Sequence, residues 1–145
     1  MRVGFYLAPD QPVERVLPQV ARKALDAGER MLVVAADRAL LARIDDALWE
    51  ASPEAFLAHG HAGEPHSERQ PILLSPDCIA GNEARLVALA DGEWRDEAAG
   101  FDRVFLFFDE AGRQAARQTW RQLDGRAGTE REFYEHENGR WLRKA

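Results

Sequence analysis

A single cysteine, Cys78, rules out a disulfide framework and a cluster of thiolate metal ligands. No apolar run reaches the roughly 18 residues needed to cross a bilayer, and no basic-then-apolar leader opens the chain. A soluble cytoplasmic protein without a membrane partner is expected. Positive charge is in deficit, with 19 Lys/Arg against 25 Asp/Glu and a net charge of −6. The deficit is uneven. Phe101 onward holds nine Lys/Arg against eight Asp/Glu, and the first hundred residues hold ten against seventeen. An acidic body does not suit general nucleic-acid binding, where phosphate contacts dominate affinity. It suits a protein partner that reads a local charge pattern. Glycine is missing where a nucleotide would need it. The first strand-to-helix junction, Leu7-Ala8-Pro9-Asp10-Gln11-Pro12, has no glycine-rich loop and no Lys-Ser/Thr pair, and its two prolines remove N–H donors. No P-loop or dinucleotide fingerprint occurs, and no cofactor is expected. Repeats and low-complexity tracts are absent as well.

The 145 residues allow one domain with a substantial core, taken as residues 1–145. Arg2–Leu7 reads as a strand closed by Ala8-Pro9-Asp10. Val13, Leu17, Val20 and Ala24 recur at helical spacing up to Gly28, a good C-cap. Met31–Ala35 is a continuous apolar run, the mark of a strand covered on both faces. Asp37 can cap a second helix whose buried stripe is Leu40, Ile44, Ala47 and Leu48. This β-α-β-α opening predicts an α/β fold with a parallel sheet. Ala51–Gln70 has no period and reads as a long loop. Ile72–Leu74 and Ala84–Ala90 are expected strands, with Glu93–Gly100 a polar turn or short helix. Val104–Phe108 is a buried strand. Glu132–His136 is a last strand that Asn138-Gly139 turns back toward Trp141-Leu142.

Chemistry-bearing residues are few. After the Val104–Phe108 strand, Arg113, Arg117 and Arg121 fall at i, i+4 and i+8 and share one helix face. Trp120 lies beside Arg113 on the wheel, and Ala115, Ala116, Thr119 and Leu123 form the opposite small-residue face. A basic stripe with an aromatic suggests a docking surface for something negative with an apolar part, and a solvated helix face has the same spacing. Asp109 and Glu110 at the strand end resemble the acidic strand end of P-loop ATPases, but serve equally well as acids at a helix start. A nucleotide-dependent hydrolase is the alternative class. His59, His61 and His66 have no fourth zinc ligand nearby, so a solvated loop is expected there and no metal. Cys78 reads as inert packing. Trp49 ends the second helix and Phe56 follows seven residues on. They either pack in the core or form a shallow apolar surface of the kind that marks partner sites.

Several of these segments together resemble the chi subunit of bacterial DNA polymerase III holoenzyme. The likeness runs the whole length. It is clearest in Phe5-Tyr6-Leu7, in Asp46-Ala47-Leu48-Trp49 followed by Pro53, Phe56 and His59, in Phe105–Arg121, and in Glu137–Trp141 (ENGRW). The resemblance implies a Rossmann-like three-layer α/β fold with a mostly parallel central sheet and no nucleotide-binding loop. It implies a non-catalytic subunit that joins the clamp-loader complex to single-stranded DNA-binding protein (SSB) by gripping the acidic, Phe-ending C-terminal tail of SSB. By that resemblance the tail site would be Leu106, Arg113, Arg117, Trp120 and Arg121, with Trp120 and Leu106 walling a pocket for the Phe. The chain departs from the family pattern at Trp120, where Tyr is familiar, and at Arg113, where Lys is. A second surface at Trp49 and Phe56 would dock the psi subunit, or a repair helicase that competes for chi.

Overall fold

Val3, Phe5 and Leu7 alternate with Gly4 and Tyr6 along β1 (Arg2–Leu7), and that alternation sets the layering of the molecule. The odd-numbered side chains enter one buried cluster and Tyr6 enters the other. The computed structural model describes residues 1–51 and 57–145. Among the described residues eight strands form one sheet: β1, β2 (Met31–Val34), β3 (His59–His61), β4 (Ile72–Ser75), β5 (Leu86–Leu89), β6 (Arg103–Phe108), β7 (Glu130–Glu137) and β8 (Arg140–Arg143). Their order is β3-β4-β2-β5-β6-β1-β7-β8. Every pairing is parallel except the terminal β7–β8 hairpin. The result is the three-layer α/β fold with a mostly parallel sheet that the opening pattern predicts.

Helices α1 (Val13–Asp26) and α2 (Arg38–Glu50) cover one face, and α3 (Arg113–Gln122) lies on the other. α1 ends where Gly28 takes φ +77° and the N–H of Glu29 returns to the Ala24 carbonyl at 2.9 Å. α2 starts at Asp37, whose carboxylate accepts from the Ala39 N–H at 2.9 Å. Leu40, Ile44 and Leu48 are buried as expected, while Ala47 is half-buried. Asn138 and Gly139 both take positive φ, 50° and 78°, the requirement of a two-residue hairpin turn. None of the helices in the described residues is long and apolar enough to cross a membrane.

Two expectations need correction. The Ala51–Gln70 segment is not all loop. His59–His61 pairs with Ile72–Leu74 as the edge strand β3, and Ser67–Arg69 makes a 3₁₀ turn. The histidines are not all solvated. The side chain of His59 is 1% exposed and bonds Asp45 through Nε2 at 2.5 Å, and His61 bonds the other Asp45 oxygen at 3.1 Å. Burial pushes the Asp45 carboxyl up, but the bonds to His61 and His59 more than offset this and hold it below its ordinary value. The arrangement staples α2 to the edge strand. No metal-holding group of three or more such ligands occurs among the described residues.

Candidate functional site

α3 approaches the sheet through Ala116, Thr119 and Leu123, all buried. Ala115, placed on that face by the wheel, is exposed instead. The approach is close because of Gly112. A Cβ there would sit 3.3 Å from the Phe108 Cβ, tighter than ordinary contact. Asp109 accepts from the Gly112 N–H at 3.0 Å and starts a 3₁₀ turn, Glu110–Gly112, that leads into the helix. Asp109 and Glu110 thus act as acids at a helix start, the second of their two possible uses.

Between α3 and the sheet lies a groove of about 260 Å³. Its floor is aromatic: Phe5 from β1, Phe108 from β6 and Phe133 from β7, with Trp120 from α3 forming one side. Trp120 meets Phe5 edge-on with centroids 5.0 Å apart, a favoured aromatic geometry. Phe133 is held by the chain end, its carbonyl accepting from the Lys144 N–H at 2.7 Å. Arg113 and Arg117 stand at the mouth.

The three arginines are not equivalent. Arg113 forks onto Glu110 with Nε and Nη2 at 2.9 and 2.7 Å. Each partner holds the other in its charged form, the arginine raised and the Glu110 carboxyl lowered. Arg117 and Arg121 are exposed, and neither makes a side-chain hydrogen bond or ion pair among the described residues. Arg121 does not line the groove. A site of this kind, apolar below and cationic at the lip, fits a short peptide carrying both a carboxylate and an aromatic side chain.

Leu106 does not wall the groove. It is fully buried, in the cluster beneath Phe5 and Phe108. It precedes Phe108 by two on the same face of β6, one step deeper along the strand. The aromatic floor takes its place. Phe5 and Phe133 come from strands that pair with each other at the same register position, and residues 128 apart in sequence offer no local pattern. A fixing cation was also not foreseen. Arg131 donates to the Trp120 carbonyl at 2.7 Å and lies 4.4 Å from the centre of its ring.

The second proposed surface is only partly visible. Trp49 is 57% exposed at the end of α2, with its ring edge-on to His59 at 4.8 Å. It stands outside the Leu40, Ile44 and Leu48 stripe. Phe56 lies outside the described residues. Cys78 is buried, and burial raises its thiol pKa, as inert packing requires.

A cationic, aromatic groove thus lies on the helix-poor face of a mostly parallel α/β sheet. The model of the family "DNA polymerase III chi subunit, HolC" matches residues 1–130, and the chain belongs to that family. Among its curated relatives is DNA polymerase III subunit chi of Escherichia coli (strain K12), 25% identical over 112 residues that span 75% of this chain and 76% of the relative. Family membership makes the chain an accessory rather than catalytic subunit, associated with the DNA polymerase III complex and so with DNA replication.

Proposed function

We propose that this chi-family chain is the adaptor that binds the acidic C-terminal tail of single-stranded DNA-binding protein and links it to the clamp-loader complex. The observation that carries the reading is the groove itself, with an aromatic floor beneath two arginines. A terminal Phe would enter between Trp120, Phe108 and Phe133. Its carboxylate and the preceding acids would meet Arg117, with Arg113 and Arg121 on either side. Arginine forks bind carboxylates in a bidentate way, and the apolar ring leaves water. Leu106 contributes from below, as support for the floor. The chain works as one cytoplasmic unit over residues 1–145, and its groove takes the protein tail rather than DNA.

The test is calorimetry with an acidic peptide ending in Pro-Phe. We expect affinity near micromolar, about −8 kcal/mol. Arg117→Ala should lose about 1.5–3 kcal/mol with an unchanged melting temperature, since the side chain is exposed. Unchanged affinity in the folded variant overturns the assignment.

A second partner surface at Trp49 and Phe56, for the psi subunit or a helicase, is supported by the exposure of Trp49. The hydrolase alternative finds no support in the junction after β1, where Pro9 and Pro12 stand in place of a phosphate cradle.

A further inference from the structure

The face of the sheet opposite the groove holds a cavity of about 480 Å³, between the last turns of α1 and the β7–β8 hairpin. Tyr6, Phe105, Tyr134 and Trp141 wall it, and Lys23, Arg103 and Glu29 add charge. The rings are fixed against one another. Tyr6 stacks on Tyr134 with centroids 4.7 Å apart and planes 16° from parallel, and Trp141 meets Tyr6 edge-on at 5.0 Å. Gly4 permits this arrangement. A Cβ there would fall 2.4 Å from Tyr6 Cε1, so the phenol can lie along the strand only beside a glycine.

Two polar atoms of these walls lack partners. Arg103 Nε and Trp141 Nε1 are buried without a hydrogen bond. Both are donors and neither can accept. A native structure rarely leaves such groups unpaired without a reason. Arg103 uses Nη2 on the Tyr6 oxygen at 3.2 Å. The nearby acids are engaged elsewhere. Glu29 is held by Arg85 at 2.8 Å, and Glu132 by Arg2 at 2.8 Å and Arg143 at 3.2 Å. Lys23 and Arg103 have no ion pair among the described residues.

Aromatic walls ask for a planar apolar group, and two cations without an ion pair among the described residues ask for an anion. We propose that this cavity is a second ligand site, for a small planar aromatic group that carries an anion, such as the base and phosphate of a nucleotide. The ring would lie against Tyr134 and Trp141, and the anion would be drawn to Lys23 and Arg103. The volume lies within the roughly 300–1,000 Å³ of small-molecule pockets. A base stacks on aromatic side chains whatever its identity. A free mononucleotide and the 5′ end of a DNA strand share this chemistry. The site is independent of the tail groove, since the two lie on opposite faces of the sheet.

The test is an NMR titration of the full chain, followed at the Trp141 indole N–H and assigned with Trp141→Phe. The probes are 5′-dAMP, deoxyadenosine, inorganic phosphate and a short 5′-phosphorylated oligonucleotide. We expect 5′-dAMP to bind saturably with Kd below about 1 mM. Deoxyadenosine and phosphate should each bind at least about tenfold more weakly, since each lacks half of the recognised chemistry. Lys23→Ala, an exposed position that should not disturb folding, should weaken 5′-dAMP about threefold or more and leave deoxyadenosine unchanged. Oligonucleotide binding tighter than 5′-dAMP identifies a strand end as the ligand, and equal or weaker binding identifies the free mononucleotide. No saturable shift by about 10 mM, phosphate binding as tightly as 5′-dAMP, or indifference to Lys23→Ala overturns the proposal. Tail-peptide affinity should stay the same throughout.

Discussion

Arg131 holds Trp120 from two directions at once, with its guanidinium 4.4 Å from the indole centre and a donated bond of 2.7 Å to the Trp120 carbonyl. A further bond of 3.0 Å to Asp124 fixes the guanidinium itself. Trp120 is therefore clamped between Arg131 and Phe5. Arg131→Met keeps the length and apolar stem but loses the cation and its donors. We expect tail affinity to fall by about 1 kcal/mol, the size of a partly buried cation–π contact, although Arg131 is not among the groove's lining residues. Calorimetry beside a thermal melt checks this. An unchanged affinity would mean that Phe5 alone orders the indole.

Glu110 competes for Arg113 with the acidic ligand proposed for the groove. Its carboxylate occupies two guanidinium nitrogens and adds a negative charge at the mouth. Glu110→Gln should therefore tighten tail binding, by about two- to fivefold at low salt, with the gain shrinking as salt screens exposed charges. Arg113→Ala should cost less than Arg117→Ala, because Arg113 must first leave a partner. Equal losses in the two variants would contradict this ranking.

Ionic strength should weaken the tail complex without abolishing it. From low salt to about 0.3 M we expect a several-fold loss, since the arginine contacts are screened and the buried ring is not. Affinity that stays flat over this range in a titration series would place the contact away from the basic helix.

Asp91 gives a pH signature. Burial pushes its carboxyl up, but the Arg95 fork at 2.7 and 2.9 Å, with the N–H groups of Ala36 and Glu93, more than offsets this and leaves it below its ordinary 3.8. The folded state therefore binds this proton less readily than the unfolded chain. Stability from Asp91 is fully present above pH 3.8 and drains away as pH falls through the lower folded value. Asp45 and Glu132 are shifted the same way. Asp91→Asn should lower stability at neutral pH by about 1–2 kcal/mol and flatten that part of the acid limb. Urea unfolding from neutral to strongly acid pH reads both effects.

Trp49 separates the two partner surfaces. It is 57% exposed, so truncation to Ala should cost the fold less than the roughly 3–5 kcal/mol typical of a core aromatic. Trp49→Ala and Phe56→Ala should each abolish psi or helicase capture while keeping tail affinity within about 0.5 kcal/mol, as distant sites add independently. A pull-down and a melt on each variant decide the matter. A loss of the 3–5 kcal/mol typical of a core Phe in Phe56→Ala would mark that residue as core instead.

Where burial writes a period, the chain is readable in advance. β1, β2, β4, β6, α1 and α2 all announce themselves by apolar runs or stripes, and Asn138-Gly139 by its turn chemistry. β3 escapes because His59-Gly60-His61 joins the sheet through its backbone, and its edge position imposes no apolar alternation. The ladder of Arg113, Arg117 and Arg121 is local and was visible. Its division into one paired and two unpaired arginines turns on Glu110, which stands at i−3 to Arg113. The groove floor is the least legible part. Phe5, Phe108 and Phe133 meet only because three distant strands are neighbours in space, and Leu106 entered through the family resemblance rather than through any local pattern.

The place of β1 between β6 and β7 has a temporal consequence. The first strand synthesised cannot find either neighbour until Arg103 and then Glu130 have been made. During translation its two edges stay open, while β2 can already pair with β4 and β5. Ordering so remote a strand is slow, because loop closure comes before any reward in contacts. The half-sheet of β2, β4 and β5 is thus the natural nucleus, and the aromatic floor that unites β1, β6 and β7 is finished last. A nascent chain stalled before Phe133 would display the basic helix beside a floor that lacks its third ring.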